Sequence, residues 1–547
     1  MSLEKIFLGI DVGTGSVRVG AFDAHGILIS KGEHPILIWK PKADFVEQSS
    51  EDIWSATGKA IRTCLKTGDI RPSSIKGIAF DATCSLVALG ARFDPISISP
   101  TRDAERNIIV WMDHRATTEA ESINRTGHEV LQYVGGKISP EMEIPKLMWI
   151  KRHMKGTWSN ATKFMDLADY MVYRSTEKDM RSLCTTVCKW TYLGHERETS
   201  GYRLDFFEQN DIHDLLETGK VPQLAFPVGD CAGELTLKAA EELGLVSGIP
   251  IGIGIIDAHA GGIGSLGPIL AESNQTETPF DSAIALIAGT SSCHMVVSEK
   301  PRFIDGIWGP YYGAMIPGMW LNEGGQSATG SLIDHVISNN AAYPDIVKSA
   351  KDKEQDVYTF LNEIVKGIRR ENGLGMYYNR HVLPYYHGNR SPRADPEAKG
   401  MVSGLSLSSN REDVAVWYGA AMQAIAYGTR HILEAMNEKG YSIKQIYLSG
   451  GHLKNELFIS EHADITGCDI VIPKEPEAVL LGSAILGGVA AEQFPDIPSA
   501  MRSMCHADHV VPPDLSTSVF HEAKYEIFKE MYDFQKRVHT KMAHLHS

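Results

Sequence analysis

Twice in this chain an apolar strand runs into a Gly-Thr turn rich in hydroxyls and leaves as a second apolar strand. The first instance is IFLGIDVGTGSVRVGAF, Ile6 to Phe22, and the second is AIALIAGTSSCHMVV, Ala283 to Val297, about 280 residues further on. Apolar runs of this length bounded by Gly and Asp read as hairpins. One device presented twice at that distance implies an internally duplicated architecture. The glycines put no side chain between the backbone N–H groups and a ligand. With the hydroxyls of Thr14 and Ser16, such donors can hold phosphate oxygens. Asp11 ends the first strand, placed to hold Mg2+ or its waters, and Arg18 adds a charge close by. For the first turn taken alone, an ordinary Asp-Gly hairpin turn is the competing reading, so the pieces downstream decide.

Size permits the duplication, because 547 residues hold two or more domains with large cores. The 53 basic and 68 acidic residues give a net charge of −15, which argues against nucleic acid or an anionic membrane as partner. Any positive groups needed for a nucleotide must therefore be concentrated locally. MSLEKIF leads straight into a strand, so no signal peptide is expected and the cytoplasm is the expected compartment. The longest apolar stretch, Ile249 to Leu270, carries Asp257 and His259 and reads as a buried strand and helix, not a membrane span. Eight cysteines occur without a CxxC pair, so free thiols are expected in place of a metal or disulfide framework.

Between the two hairpins, WSATGKAIRTCLK has helical spacing, and IKGIAFDATCSLVALGA reads as strand, polar turn and strand, with Asp81 to Ser85 in the turn. NIIVWMDHRA reads as a buried strand ending in Trp111, Asp113 and Arg115, while PKLMWIKRHM and FMDLADYMVYRST read as helices. LCTTVCKWTYL holds Lys189 in an otherwise uncharged run, and PIGIGII delivers Asp257 to its C-terminal end. Residues 267–282 are polar and aperiodic, which places a junction between domains at 1–266 and 283–493. Past the junction, MWLNEGGQSATGSLIDHV reads as helix-like and YYHGNRSPRADPEAKG as a loop. A long helix then ends at Gly440, KQIYLSGGHLKNELF gives strand, glycine turn and helix, and AVLLGSAILGGVAA is a small-residue helix. From about Phe494 an irregular tail, 494–547, ends in a charged helix.

No GxxxxGK[ST] occurs, which excludes a Walker-type site. The GxGxxG from Gly262 to Gly267 lacks the strand–turn–helix setting of a dinucleotide loop and reads as helix-packing glycines. Singly, Asp257 reads as a cap, Lys189 and Glu323 as surface charges, and Cys84 as a buried thiol. Together, GIDVGTGSVR, VWMDHRA, PKLMWIK, GIIDAHAG, LIAGTSS, NEGGQSATG, KGMVSGL and YLSGGHLKNELF stand in one order. That series closely resembles the FGGY family of carbohydrate kinases, within the actin-like ATPase superfamily, from about Ile6 to Ala490.

The resemblance implies an α/β fold of two ribonuclease-H-like domains, each a mixed sheet flanked by helices, closing over a cleft. It implies ATP and Mg2+ as cofactors, with ATP against the second domain and a sugar against the first. Asp11 (metal), Thr14, Ser16 and Arg18 match the first phosphate loop, and Gly289 and Thr290 the second. Gln326 matches a nucleotide-side position, Gly450, Gly451 and Asn455 the adenosine turn, and Asp257 the general base. Trp111, Lys189 and Glu323 match sugar-pocket positions of ribulokinase-like members, and TCSLV, with Thr83 and Cys84, resembles the D-ribulokinase branch. Ala82 and Thr83 stand where glycerol kinases carry an Arg-Glu clamp, and VWMDH departs from the WNDxR of xylulokinases. The implied reaction is phosphorylation of D-ribulose to D-ribulose 5-phosphate, with L-ribulose, ribitol and xylulose as other substrates left open. The implied partners are a small sugar and ATP/ADP, with homodimerisation left open. An actin-like ATPase switch and a non-catalytic sugar sensor are the readings from other classes.

Overall fold

The computed structural model describes residues 5–196, 201–272 and 279–543. Strand β1 (Ile6–Val12), apolar except for Asp11 near its end, is buried along its whole length, as befits a strand in the middle of a covered sheet. It pairs antiparallel with β2 (Ser16–Phe22), which pairs antiparallel with β3 (Leu28–Pro35). On its other edge β1 pairs parallel with β4 (Ile75–Ala82). The sheet is completed by β5 (Cys231–Glu234), β6 (Pro250–Gly252) and the short β7 (Ile255–Ile256), in the order β3-β2-β1-β4-β6-β5, with β7 also on β4.

The second half follows a related order with one more antiparallel strand. Its strands are β8 (Ala283–Ala288), β9 (Ser292–Ser298), β10 (Trp308–Tyr312), β11 (Trp320–Gln326), β12 (Gln445–Ser449), β13 (Asp469–Pro473) and β14 (Ala507–Val511). They lie as β10-β11-β9-β8-β12-β13-β14, with β8 antiparallel to β9 and parallel to β12. Each half thus has antiparallel strands on one side, parallel neighbours in the middle and an antiparallel edge strand, the duplication read from the two Gly-Thr turns; the second half adds β10 outside β11.

The helices that matter for the site are α1 (Leu183–Lys189), α2 (Asp257–Leu266), α3 (Gly330–Ser338), α4 (Arg411–Glu438), α5 (Glu456–Thr466), α6 (Ala478–Ala490), α7 (Ile497–Met504) and α8 (Ser518–Ala543). Helix α6 belongs to the second half by sequence but packs on β1 and β4 of the first sheet. The contact is backbone to backbone. A Cβ on Gly9 would lie 1.9 Å from the Leu480 carbonyl oxygen, and one on Gly77 would lie 2.0 Å from that of Gly487. Helix α2 makes the reverse move and packs on β8 of the second sheet. The two helices touch where Gly264 meets the Ala478 oxygen (2.0 Å from an added Cβ) and Gly482 meets that of Ala260 (1.9 Å). The glycines of the GxGxxG segment are therefore packing glycines.

Several expectations need correction. MWLNEGGQSATGSLIDHV is not one helix: it supplies β11 and then α3. β11 is buried on both faces, so it shows no alternation, and Gly324 and Gly325 sit against Ile432 and Arg390, where side chains would not fit. FMDLADYMVYRST opens as a strand, Lys163–Asp166, before its helix, Leu167–Thr176. Only Ile108–Ile109 of NIIVWMDHRA is strand, and Trp111, Asp113 and Arg115 stand in the turns beyond it. Asp81 lies within β4, not in the turn after it. The tail is also ordered: α7 returns to the first half, where the Met504 oxygen fills the space beside Gly26, β14 closes the second sheet, and α8 packs on α4 and α5. Residues 273–278 of the expected junction lie outside the described residues.

Candidate active site

Three carboxylates meet where the parallel strands of the first sheet end. Asp11 on β1 is paired in register with Asp81 on β4, and Asp81 with Ile255 on β7, two residues before Asp257. The crevice outside the carboxyl ends of parallel strands is the usual ligand position in open α/β sheets. Asp11 is buried and accepts from Arg18 Nε at 2.8 Å through Oδ2, because Arg18 is its register partner on β2. Its Oδ1 faces the first turn, 3.8 Å from where a Cβ of Gly13 would stand. Asp81 is fully buried, and Ser483 Oγ of α6 donates to its Oδ2 at 2.5 Å. Burial, then the charges of Asp11 and Asp257, push Asp81 well above the carboxylate range. Burial and Asp11 also push Asp257 up to about 6, opposed by the Ala258 N–H, which donates to Asp257 Oδ1 at 2.7 Å. Such a group is still mainly ionised at neutral pH yet more basic than an ordinary aspartate, which suits a proton acceptor.

The first turn is tied from outside and open inside. Gly13 N donates to the Ser16 oxygen at 3.0 Å, Gln48 Nε2 to the Thr14 oxygen at 2.8 Å, and Trp111 Nε1 to Thr14 Oγ1 at 3.0 Å. Nothing lies within 4 Å of an added Cβ on Gly15. Ser16 Oγ turns away and donates to Glu33 at 2.7 Å. The second turn is anchored the same way: the Gly289 oxygen accepts from Gly330 N at 3.0 Å, Thr329 Oγ1 at 2.9 Å and His452 Nε2 at 3.1 Å. Thr329 N donates to the Thr290 oxygen at 3.0 Å, at the start of α3. Gly450 has φ +92°, and its Cβ would lie 2.4 Å from the Ala288 oxygen, so that turn requires glycine, while Gly451 faces open space.

Two of the residues expected on the nucleotide side are tied to neighbouring helices by hydrogen bonds. Gln326 Nε2 donates to the Ile425 oxygen at 3.0 Å and to Thr429 Oγ1 at 3.1 Å. Asn455 caps α5 by accepting from Phe458 N at 3.3 Å, and it donates to Tyr418 Oη at 2.8 Å. Both shape the second sheet's side of the cleft from behind.

The residues expected on the sugar side come together near Asp257. Lys189 ends α1 with Nζ 4.7 Å from the centre of the Trp308 ring. Burial works against its charge, but its pKa stands above the ordinary value, and at neutral pH the charged neighbour that favours the ammonium is the Glu323 carboxylate. Glu323 on β11 sits 3.5 Å from His259 Nε2; despite burial, His259, Lys189 and Arg390 draw its carboxyl down to about 2. Burial raises the Cys84 thiol to about 12, so it lines the pocket as a neutral group. Thr83 Oγ1 lies 3.1 Å from Ser85 Oγ, which accepts from the Trp111 N–H at 3.2 Å, linking Thr83 to the indole over the first turn.

Sequence reasoning passed over five residues of this wall. Asp81 interrupts a buried apolar strand, a signal in itself, but the turn reading absorbed it. His259 follows Asp257 by two and joins it to Glu323. Arg390, from the segment read only as a loop, lies 5.2 Å from the Trp308 ring centre on which Lys189 also rests, and 3.7 Å from Glu141. Burial notwithstanding, Arg390 and His114 draw Glu141 down to about 2. Only folding brings Glu141, Trp308 and Arg390 together, and no local pattern announces it.

Two sheets of related topology, each presenting a glycine turn, with a basic aspartate and a polar pocket between them, define a carbohydrate kinase. The FGGY N-terminal domain of carbohydrate kinases matches residues 6–264 and the C-terminal domain residues 284–491. The chain belongs to the FGGY family of carbohydrate kinases. An FGGY carbohydrate kinase domain-containing protein of Xenopus laevis is 45% identical over 550 residues, covering 99% of both chains. A D-ribulokinase of Saccharomyces cerevisiae is 38% identical over 517 residues, 90% of this chain and 72% of that protein. Among solved structures, a ligand-bound xylulose kinase from Lactobacillus acidophilus superposes with a TM-score of 0.80 at 19% identity, covering 98% of this chain and 100% of that one. Among the described residues no helix is long and apolar enough to cross a membrane.

Proposed function

We propose that this carbohydrate kinase transfers the γ-phosphoryl group of ATP to the 5-hydroxyl of D-ribulose. The observation that carries the reading is the placement of Asp257: a carboxyl raised to about 6, beside a pocket furnished by Lys189, Glu323, Cys84 and Trp308. Similarity to the yeast D-ribulokinase supports the substrate class. Asp257 accepts the proton of the attacking hydroxyl as transfer proceeds, a contribution of about 100- to 10,000-fold. The open N–H groups of the two turns meet the spreading phosphate charge. Hard carboxylate oxygens suit Mg2+, and Asp11, with Oδ2 held by Arg18 and Oδ1 turned to the first turn, fits as its anchor. When bound, Mg2+ neutralises charge on the nucleotide phosphates. Trp111 covers an apolar face of the sugar, and Lys189, Glu323 and Thr83 offer partners for its hydroxyls.

The test is ADP release over ketopentoses, pentitols, glycerol and aldoses. D-ribulose should give the highest kcat/KM, with L-ribulose and ribitol poorer and glycerol near background. A site that hydrogen-bonds a hydroxyl rejects an analogue lacking it by about 10,000-fold or more. Xylulose or glycerol outperforming D-ribulose by about tenfold would sink the pocket reading and leave the kinase class intact.

A further inference from the structure

Behind the sugar pocket lies a buried cluster that the phosphoryl transfer does not use. Cys184 and Cys188 are four residues apart on α1 and therefore share one helix face. Both sulfurs meet the imidazole of His259 from α2, and one ligand atom from each residue lies within 4.8 Å of the others. Cys184 Sγ is 3.5 Å from His259 Nδ1. All three side chains are essentially inaccessible, at 0%, 1% and 1% relative exposure.

We propose that Cys184, Cys188 and His259 bind a zinc ion through two thiolates and Nδ1, with Glu323 as the carboxylate that receives the Nε2–H of His259. Zinc–sulfur bonds of about 2.3 Å and zinc–nitrogen bonds of about 2.0 Å, set tetrahedrally, put ligand atoms about 3.5 Å apart; the Cys184–His259 pair already has that spacing, and closing the group from within 4.8 Å needs only small side-chain shifts. The second observation is the far side of the imidazole. His259 Nε2 is buried without a hydrogen-bond partner, yet it stands 3.5 Å from Glu323 Oε2. Metal-bound histidines characteristically pass their other N–H to a carboxylate, which fixes the ring and strengthens the ligand. The charges also close: two thiolates cancel the dication, and Glu323 is offset by Lys189 in the same neighbourhood. Binding to the protonated form releases one proton from each thiol and the extra proton of the His259 imidazolium, with no change of oxidation state. Three protein ligands leave a fourth position for water or a ligand atom. The ion would clamp α1, which carries Lys189, to α2, which starts at Asp257.

The full-length chain, purified without a metal-binding tag and dialysed against a weak chelator, is expected to retain about one zinc per chain. Exchange for Co2+ should give a thiolate-to-cobalt absorption band, and X-ray absorption of the zinc form should show two sulfur neighbours. In folded variants, Cys188→Ser and His259→Gln should abolish retention, and Glu323→Gln should weaken it about 10- to 100-fold. A native chain that holds no zinc and gives no charge-transfer band with Co2+ would overturn the proposal. So would undiminished zinc in folded Cys188→Ser. Should the variants fail to fold, the cobalt and X-ray absorption spectra of the native chain decide alone. None of these readouts uses turnover, so the proposal stands or falls apart from the ribulose assignment.

Discussion

Asp257 owes its basicity to its neighbours, since a solvated aspartate would sit near its ordinary value and Asp11 with burial moves it to about 6. Asp257→Asn keeps the shape and removes the acceptor. We expect a folded variant that binds ATP and sugar, with turnover lowered at least about 100-fold. Steady-state ADP release checks the turnover and titration calorimetry the binding; near-normal turnover would remove Asp257 from the chemistry. A second residue-scale prediction concerns His294 and His462, both fully buried around Thr429 Oγ1 at 3.1 and 3.3 Å. Burial above all holds each at about 3, well below the ordinary histidine value. The unfolded chain therefore takes up protons that the folded chain refuses as pH drops below about 6.5. Stability should fall on acidification from there toward pH 3, by about 1.4 kcal/mol per pH unit for each histidine once fully engaged. Urea denaturation at pH 7, 6 and 5 should show a steeper loss in the native chain than in His294→Gln. Equal slopes would mean that His294 protonates in the fold.

At the scale of elements, the sequence spoke clearly where one face or one turn carries the information. The two Gly-Thr hairpins, the long α4 and the glycine turn before α5 were legible because spacing and turn residues suffice. β11 was not, since LNEGGQ is buried on both sides and its glycines answer to Ile432 and Arg390 far along the chain. The site divides likewise. Asp11, Asp257 and both turns were readable from strand ends, whereas Asp81 needed the register of β4 and Arg390 needed the tertiary fold. Gln326 and Asn455 were singled out in the sequence, but their hydrogen bonds to α4 are something no motif expresses. The α2–α6 crossing yields the prediction for this scale. Gly482→Ala sets a Cβ 1.9 Å from the Ala260 carbonyl oxygen, and backbone cannot step aside as a flexible side chain would. A loss of about 1–3 kcal/mol or more is expected. Gly367→Ala, in the exposed face of the Val357–Asn372 helix with nothing within 4 Å, should instead gain about 0.5–1 kcal/mol. Thermal unfolding of the pair tests the contrast, and a Gly482→Ala chain as stable as the native one would refute the packing argument.

Over the whole molecule, the halves are tied by exchange of helices, since α6 covers the first sheet and α2 lies on the second. Residues 1–272 and 279–547, expressed as separate pieces, should each be poorly soluble and should co-purify when made together. Independent folding of both pieces with no association would contradict it. The same exchange limits how the two sheets can move against each other. Where Gly264 and Gly482 let one helix backbone rest on the other, sliding either helix lengthwise would drive a carbonyl into a Cα. A closing movement that runs through this crossing must therefore turn about it, because the backbone contact leaves no room to slide along it.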